Sequence, residues 1–444
     1  MSDNPKKPTF AKTLTFGCRL NIYESEVIKE KANAAGLKDV LIVNSCAVTN
    51  EAVRQTRQGI RKAKRENPKT KIIVTGCAAQ TQAQTFADMA EVDLVIGNSE
   101  KLQDKTYQNL TFGVDLNNKI QVNDIMSIKQ NAPHLIKGLE GHSRAFVQVQ
   151  MGCDHRCTFC IIPFGRGNSA STPMGKVIEQ IKTLVENGFN EIILTGVDIT
   201  SYGADLPGKL TLGKLVQAIL KHVPNLPRLR ISSIDSIEAD DALFEVLSEK
   251  RFMPHLHLSL QSGDDMILKR MKRRHLRADI LDFVAKVRNI REDIVFGADI
   301  IVGFPTETKE MFENSLKIIT EANISFLHVF PYSKREGTPA AKIPKQIIKT
   351  IKKERAAQLR ALGNKQLQKL FHSRIEKNEN ILIEKKQDDF LIGRSEQFIP
   401  TKISLNNDYI KMSANDISGK IIKTKITNID ETGLVGILSG EKNE

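Results

Sequence analysis

The stretch Val147-Gln148-Val149-Gln150-Met151-Gly152-Cys153-Asp154-His155-Arg156-Cys157-Thr158-Phe159-Cys160 decides how this chain is read. Its first half alternates apolar and polar side chains, the period of a strand with one buried face, and Gly152 ends it. A polar loop follows, with Cys153, Cys157 and Cys160 at C-x3-C-x2-C spacing. Three thiolates on a tight loop suit three corners of a 4Fe-4S cube and leave the fourth iron open to bind and reduce a ligand. Zinc normally closes its shell with four protein ligands, so a zinc site completed by His155 is the alternative, with unmetallated thiols behind it. Spacing favours iron, because a residue two positions from a ligand rarely bends back to finish a tetrahedron with it. Three cysteines on one polar loop are also poor core material.

Downstream of this loop, strand candidates recur at Glu191 to Thr195, Arg228 to Ser232, His255 to Leu260, Val295 to Val302 and Phe326 to Phe330, with the first at Ala145 to Gln150. Helical periods separate them, such as Thr172 to Asn187 with Thr172 as N-cap and Pro173 in the first turn. Six strands alternating with helices predict a partial parallel barrel. Its functional face belongs at the carboxyl ends of the strands, where Cys153 to Cys160 falls. A Lys- and Gln-rich helix over about Lys345 to Phe371 closes this part.

Upstream, residues 10 to 125 also alternate strand and helix, the signature of a small doubly wound α/β sheet. Cys18 follows the strand around Leu14-Thr15-Phe16, Cys46 trails Val40 to Val43, and Cys77 trails Ile72 to Val74. Ligands gather outside the carboxyl ends of strands in such sheets, so Cys18, Cys46 and Cys77 are expected to converge as a second trio. Unrelated buried cysteines are the plainer reading. Residues 100 to 140 read as a linker with weak strands between Ile120 and Ile128. From Arg374 onward, short alternating runs (Ile381 to Glu384, Phe390 to Ile392, Tyr409 to Met412, Ile421 to Ile429) outline a small antiparallel barrel of a kind that often grips nucleic acid. Dimerisation would fit that composition equally.

At 444 residues the chain exceeds one ordinary core. No apolar run approaches a membrane span and Met1 to Lys12 is polar, so a cytoplasmic protein without membrane contact is expected. Its six cysteines then remain reduced and available as ligands. Lys and Arg number 65 against 52 Asp and Glu, a formal charge of +13, which favours a polyanionic partner. The basic residues cluster at Arg54, Arg57, Arg61, Lys62, Lys64 and Arg65, again at Lys269, Arg270, Lys272, Arg273 and Arg274, and on the terminal segment at Lys402, Lys411, Lys420, Lys423 and Lys425.

With Phe159 before its last cysteine, the loop resembles the radical S-adenosylmethionine superfamily. Taken with the upstream cysteines and the terminal barrel, the resemblance covers essentially the whole chain and is to the methylthiotransferases. Thr15-Phe16-Gly17-Cys18-Arg19-Leu20-Asn21, Tyr23-Glu24-Ser25-Glu26 and Asn44-Ser45-Cys46-Ala47-Val48-Thr49 are most like the MtaB-type branch. The resemblance implies an N-terminal cluster domain (10–125), a partial (β/α)6 TIM-like radical barrel (139–371) and a TRAM-like RNA-binding barrel (372–440). It implies two 4Fe-4S clusters, on Cys153, Cys157 and Cys160 and on Cys18, Cys46 and Cys77, the second carrying the sulfur to be transferred. It further implies S-adenosylmethionine, a tRNA substrate, an electron donor such as a flavodoxin or ferredoxin, and a sulfur source. The implied reaction is methylthiolation at C2 of N6-threonylcarbamoyladenosine, position 37, next to the anticodon. That C–H bond is unactivated, so no acid–base pair is expected.

Gly196-Val197-Asp198 stands where the superfamily often has Gly-Gly-Glu, so Gly196 and Asp198 inherit the contact with the amino group of S-adenosylmethionine. Gln261 and Ser262 match the ribose-contacting position. Asp299 to Glu307, with Ile301 and Gly303, resembles the adenine-contacting run, although Asp299 replaces a common glycine. Arg19, beside Cys18, is a candidate partner for the threonyl carboxylate. The alternatives are the same chemistry on isopentenyladenosine or on a ribosomal-protein aspartate, an iron–sulfur RNA-binding sensor without turnover and, fitting less well, an electron carrier.

Overall fold

Strand β1 (Lys12–Thr15), β2 (Val40–Ser45), β3 (Lys71–Gly76), β4 (Leu94–Ile96) and β5 (Ile120–Gln121) form one parallel sheet in chain order in the computed structural model. The structure describes residues 10–110, 112, 119–127, 138, 141–405 and 413–439. β2 and β3 read as continuous apolar runs because both of their faces are covered. Helix α1 (Arg19–Ala34) packs Tyr23, Val27 and Ile28 with Val40, Ile42 and Ile73 on one face. Helix α2 (Asn50–Glu66), capped by Thr49 Oγ1 on the Ala52 amide at 3.1 Å, packs Val53 and Ile60 with Val43, Ile72 and Val74 on the other. The opposite side of α2 leaves Arg54, Arg61, Lys62 and Arg65 exposed.

The expected linker begins as structure. A 3₁₀ turn (Glu100–Leu102) and a short helix (Asp104–Gln108) pack back on α1, with Lys101 fully buried. The weak strands shrink to β5 and a 3₁₀ turn at Ile125–Ser127.

Beyond it come β6 (Ala145–Gln148), β7 (Gln150–Met151), β8 (Ala170–Ser171), β9 (Glu191–Thr195), β10 (Arg228–Ile231), β11 (His255–Gln261), β12 (Val295–Val302) and β13 (Ile324–Pro331). The main six form parallel sheets ordered β10-β9-β6 and β11-β12-β13. Bridges Leu229↔Phe252 and Ile234↔Leu258 join them, so the six run as one curved wall with a break between β10 and β11. Apolar side chains from all six strands share one large core with the flanking helices.

The helix after β8 starts one residue later than expected. Pro173 is its N-cap, and Thr172 continues the strand instead, its amide on Val149 O at 2.8 Å. The long helix runs Lys349–His372, because Pro344 and a left-handed Lys345 hold the preceding residues out of it.

The terminal part is a closed barrel of β14 (Asn378–Gln387), β15 (Phe390–Arg394), β16 (Pro400–Ser404), β17 (Ile421–Ile429) and β18 (Leu434–Leu438) in the order β14-β15-β16-β18-β17. All pairs are antiparallel except β16–β18, which run parallel. Along β17, Ile422, Thr424 and Ile426 turn inward while Lys423 and Lys425 face out. The expected strand at Tyr409 to Met412, with Lys411, lies outside the described residues. No helix among the described residues is long and apolar enough to cross a membrane.

Candidate functional site: two thiol trios at the strand ends

β1, β2 and β3 are adjacent, with Thr15 beside Asn44 and Ser45 beside Gly76, so residues just past their carboxyl ends lie side by side. Cys18, Cys46 and Cys77 occupy those places. Gly17 makes the approach feasible. Its φ is +105°, and a Cβ there would stand 2.8 Å from Cys46 Cβ and 3.1 Å from its Sγ. Cys18 is exposed, whereas Cys46 and Cys77 are buried. Burial first, then the charge of Cys77, pushes the Cys46 thiol up to about 12, and Cys18 adds to the rise.

The second trio sits on the loop after β7. Gly152, at φ +71°, passes so close to the chain that a Cβ would lie 1.8 Å from Asn168 O. The Cys153 amide then bonds Gly167 O at 3.1 Å, which pins the loop's first thiol. Burial drives the thiols of Cys153 and Cys160 upward, Cys160 to about 12. Arg273 Nη1 reaches Cys157 Sγ at 3.6 Å.

The two trios belong to one neighbourhood. The short helix Ile162–Arg166, directly after the loop, lies on the helix Cys77–Thr81. A Cβ on Gly165 would stand 3.3 Å from Cys77 Cβ. Arg166 Nε donates to Cys77 Sγ at 3.1 Å, and the Cys77 charge is felt at Cys160. Clustered, desolvated thiols are a donor set suited to a soft, multiply charged metal group. Residues around both trios therefore fit iron–sulfur ligation.

His155 does not turn toward the cysteines to complete a zinc shell. Its Nε2 lies 2.9 Å from Asp198 Oδ2 and 3.4 Å from Glu238 Oε1. The neighbouring Asp198 and then Glu238 carboxylates raise its pKa to about 10, and the ring is thereby engaged away from the thiols.

The residues expected to hold S-adenosylmethionine fall in two groups. Gly196 and Asp198 sit on the loop after β9 beside Cys153, whose Sγ is 3.6 Å from Asp198 Oδ2. Gln150 Oε1 accepts from the amides of Val197 and Asp198 at 3.0 and 2.8 Å and so fixes that loop. Gln261 and Ile301 line a cavity of about 190 Å³ together with Phe159, Asp299, Phe330, Tyr332 and, from the first sheet, Val48 and Thr49. Ser262 and Gly303, on the same strand ends, also carry structural hydrogen bonds. The buried Ser262 hydroxyl accepts the Asp264 amide at 3.2 Å, and the Gly303 amide bonds Glu307 Oε2 at 2.8 Å beneath the Lys352 stem.

Asp299 is held by His257 Nε2 at 3.0 Å and His328 Nδ1 at 3.1 Å. Burial pushes its carboxyl up, and the two imidazoles outweigh that, holding it well below the usual carboxylate range. Arg19 points to the barrel wall. Its guanidinium is 5.6 Å from the Phe398 ring centroid, and no hydrogen bond or ion pair reaches it among the described residues.

Of the basic run at Lys269 to Arg274, only part is surface. Arg273 turns inward to Asp235 at 2.8 Å, and Arg274 pairs with Asp235 and Glu238. Sequence reasoning missed Gln150, Arg166, Glu24, Lys101 and Arg273. Polar residues in or beside strands and helices were the available signal, but it does not say which of them meet.

Comparisons with known proteins agree with this geometry. Residues 147–319 match the Radical SAM superfamily, and residues 11–97 match a family described as uncharacterized protein family UPF0004. The chain is 53% identical over 419 residues to the threonylcarbamoyladenosine tRNA methylthiotransferase MtaB of Rickettsia prowazekii, covering 94% of this chain and 95% of that protein. It is 34% identical to the MtaB of Bacillus subtilis (93% and 92% covered) and 30% identical to the tRNA-2-methylthio-N(6)-dimethylallyladenosine synthase of Ehrlichia chaffeensis (96% and 98% covered). Among solved structures, the radical S-adenosylmethionine methyltransferase TsrM from Kitasatospora setae shares the fold, with TM-score 0.57 and 13% identity over 75% of this chain and 77% of that chain. One thiol trio on the radical barrel and another at the ends of the first sheet, together with these relatives, lead to one conclusion: the chain belongs to the radical S-adenosylmethionine tRNA methylthiotransferases and is most like their MtaB type.

Proposed function

We propose that this enzyme methylthiolates C2 of N6-threonylcarbamoyladenosine at position 37 of tRNA, next to the anticodon, with two 4Fe-4S clusters and S-adenosylmethionine. Cys153, Cys157 and Cys160 hold one cluster, and Cys18, Cys46 and Cys77 the other. The observation that carries this reading is the approach of the trios, with Gly165 and Arg166 of the radical loop's own helix against Cys77. The three parts of the reading are 10–125 for one cluster, 139–371 for the radical barrel and 372–440 for RNA. An external one-electron donor, such as a flavodoxin or ferredoxin, and a sulfur source complete the system.

When bound, these groups supply one-electron cleavage of S-adenosylmethionine and the sulfur that is transferred. The chain's own residues bind and aim. Gln150 holds the Gly196 to Asp198 loop beside Cys153, where Asp198 offers a carboxylate to the amino group of S-adenosylmethionine. Gln261 and Ile301 contact its ribose and adenine from the cavity wall, while Ser262 and Gly303 shape the strand ends behind them. Phe159, Phe330 and Tyr332 keep water from the reacting centre, and a fixed geometry replaces acid–base help. Arg19, which makes no direct ion pair among the described residues though Glu191 and Asp299 act on it at longer range, favours a substrate with an anionic substituent over the uncharged dimethylallyl group.

Mass analysis of tRNA nucleosides tests substrate and reaction together. A deletion strain should accumulate N6-threonylcarbamoyladenosine and lack its 2-methylthio form, and the intact gene should restore it. Loss of the methylthiolated dimethylallyl nucleoside instead would refute the substrate assignment.

A further inference from the structure

The helix that follows the radical loop ends in a side chain that crosses into the first sheet system. Arg166 is 3% exposed. Its Nε donates to Cys77 Sγ at 3.1 Å, its Nη1 to Glu24 Oε1 at 2.7 Å, and its Nη2 to Glu24 Oε2 at 2.9 Å and Asn21 Oδ1 at 2.5 Å. Lys101, with 0% exposure, donates from Nζ to the same Glu24 Oε2 at 2.7 Å. Asn98 adds Nδ2 at 3.7 Å from Cys77 Sγ.

Two fully buried cations thus share one carboxylate. An uncompensated charge in a dry interior is strongly unfavourable, and no second carboxylate pairs with either cation among the described residues. The atom standing where the missing anion belongs is Cys77 Sγ. A thiolate there, bound to a metal group of net negative charge, balances the pocket, whereas a neutral thiol does not.

We propose that Arg166 is a positioning residue for the iron–sulfur cluster on Cys18, Cys46 and Cys77, binding the Cys77 ligand sulfur and raising that cluster's reduction potential. Hydrogen bonds to ligand sulfurs and the local net charge set the potentials of such clusters. A fixed cation in a low-dielectric pocket stabilises the reduced form, which carries one more negative charge. Because Arg166 follows Cys160 by six residues on the same segment, the first sheet's cluster reaches its working potential only when the radical barrel is docked against it. This inference rests on the two-cluster reading above.

The test uses the full chain with Cys153, Cys157 and Cys160 replaced by alanine, so that iron can sit only on the N-terminal trio. After anaerobic reconstitution, iron is counted and the paramagnetic signal is followed in a reductive titration with dithionite and mediators. Arg166→Met should lower the reduced-to-oxidised ratio at a fixed potential at least tenfold, a shift of about 59 mV for one electron. Glu24→Gln, which removes the neighbouring anion, should shift the ratio the other way. Arg166→Lys, which keeps the charge and loses the fork, should lie between the parent and Arg166→Met. Iron kept by Arg166→Lys but lost from Arg166→Met would also support the charge requirement.

Shifts of the same sign in Arg166→Met and Glu24→Gln, or no shift in Arg166→Met, would overturn the proposal. Loss of iron from all three variants while the parent retains it would overturn it as well, leaving the network a scaffold only. A parent that takes up no iron would instead refute the second cluster itself, and the proposal with it.

Discussion

At the scale of single residues, one glycine and one arginine can be tested directly. Gly152 occupies a left-handed conformation with no room for a Cβ against Asn168 O. Gly152→Ala should therefore cost about 1–3 kcal/mol and move Cys153 off its bond to Gly167. Denaturant unfolding of the metal-free chain and iron retained after reconstitution measure the two effects, and an unchanged value of both would contradict the packing argument. Arg19 is tested through charge. A charge-assisted hydrogen bond is worth about 1.5–3 kcal/mol, so Arg19→Gln should slow turnover of threonylcarbamoylated tRNA roughly tenfold or more. An RNA whose threonyl carboxylate is converted to an amide should be slowed far less. Equal loss on both substrates, or full activity of Arg19→Glu on the carboxylate substrate, would remove Arg19 from recognition.

At the scale of elements, the joint between the radical barrel and the terminal barrel is a network of buried ions. Glu191, the first residue of β9, lies 2.8 Å from Arg144 Nε, 3.1 Å from Arg230 Nε and 3.5 Å from Arg228 Nη1. Those arginines continue into the terminal barrel, where Arg144 pairs with Glu384, Arg228 Nη2 bonds Asn380 O at 2.7 Å, and Arg230 Nη2 bonds Ser395 O at 3.0 Å. Phe398 lies among Arg19, Arg144, Arg230 and Arg394 and stacks on His255. Burial pushes the Glu191 carboxyl up, and Arg230, Arg144 and Arg228 outweigh it, holding the carboxyl at about 2. Its folded value lies below the ordinary glutamate value near 4.5. The stability it contributes is therefore fully present above that value and is lost as pH falls toward 2. Glu191→Ala, which strands buried guanidinium groups, should cost about 3–5 kcal/mol at neutral pH and flatten the acid limb of the stability profile. Denaturant midpoints across pH would show it, and a variant as acid-labile as the parent would contradict it.

At the scale of the whole molecule, the formal charge of +13 is spread unevenly. The outer side of α2 and the outer side of β17 are basic and solvent-facing, whereas Arg166, Arg228, Arg230 and Arg273 are consumed inside. Among the described residues, the exposed set can meet phosphates, although Lys425 first has to leave Glu376 at 2.8 Å. tRNA binding should weaken steeply with salt, and Lys423→Ala and Lys425→Ala should each weaken it while reducing the salt slope by about 1. Filter binding at several salt concentrations measures this. An unchanged slope in the double variant would move the RNA contact away from the terminal barrel.

Much of the architecture was legible along the chain because its causes are local. The spans Glu191–Thr195, Val295–Val302 and Ile421–Ile429 follow from runs of β-branched and apolar side chains that no other element can bury. The thiol loop was legible because all three thiols lie on one turn, and the Cys18, Cys46 and Cys77 trio because parallel strands bring their carboxyl ends together. Other features had no local signature. Lys101 lies in a polar stretch that the sequence assigns to a linker, yet it is fully buried because Glu24, 77 positions away, accepts its charge. Arg273 belongs to a basic run whose surface reading fails because Asp235 draws it inside.

The sequence by itself determined the order of strands and helices and the family to which the chain belongs, since periodicity and motif spacing act over a few residues. Only the tertiary structure decided which charges are spent in the interior, where the single carboxylate of Glu24 meets two cations, one of which also reaches Cys77. Partner choice among buried ions is a property of distance in space, and adjacency along the chain does not encode it.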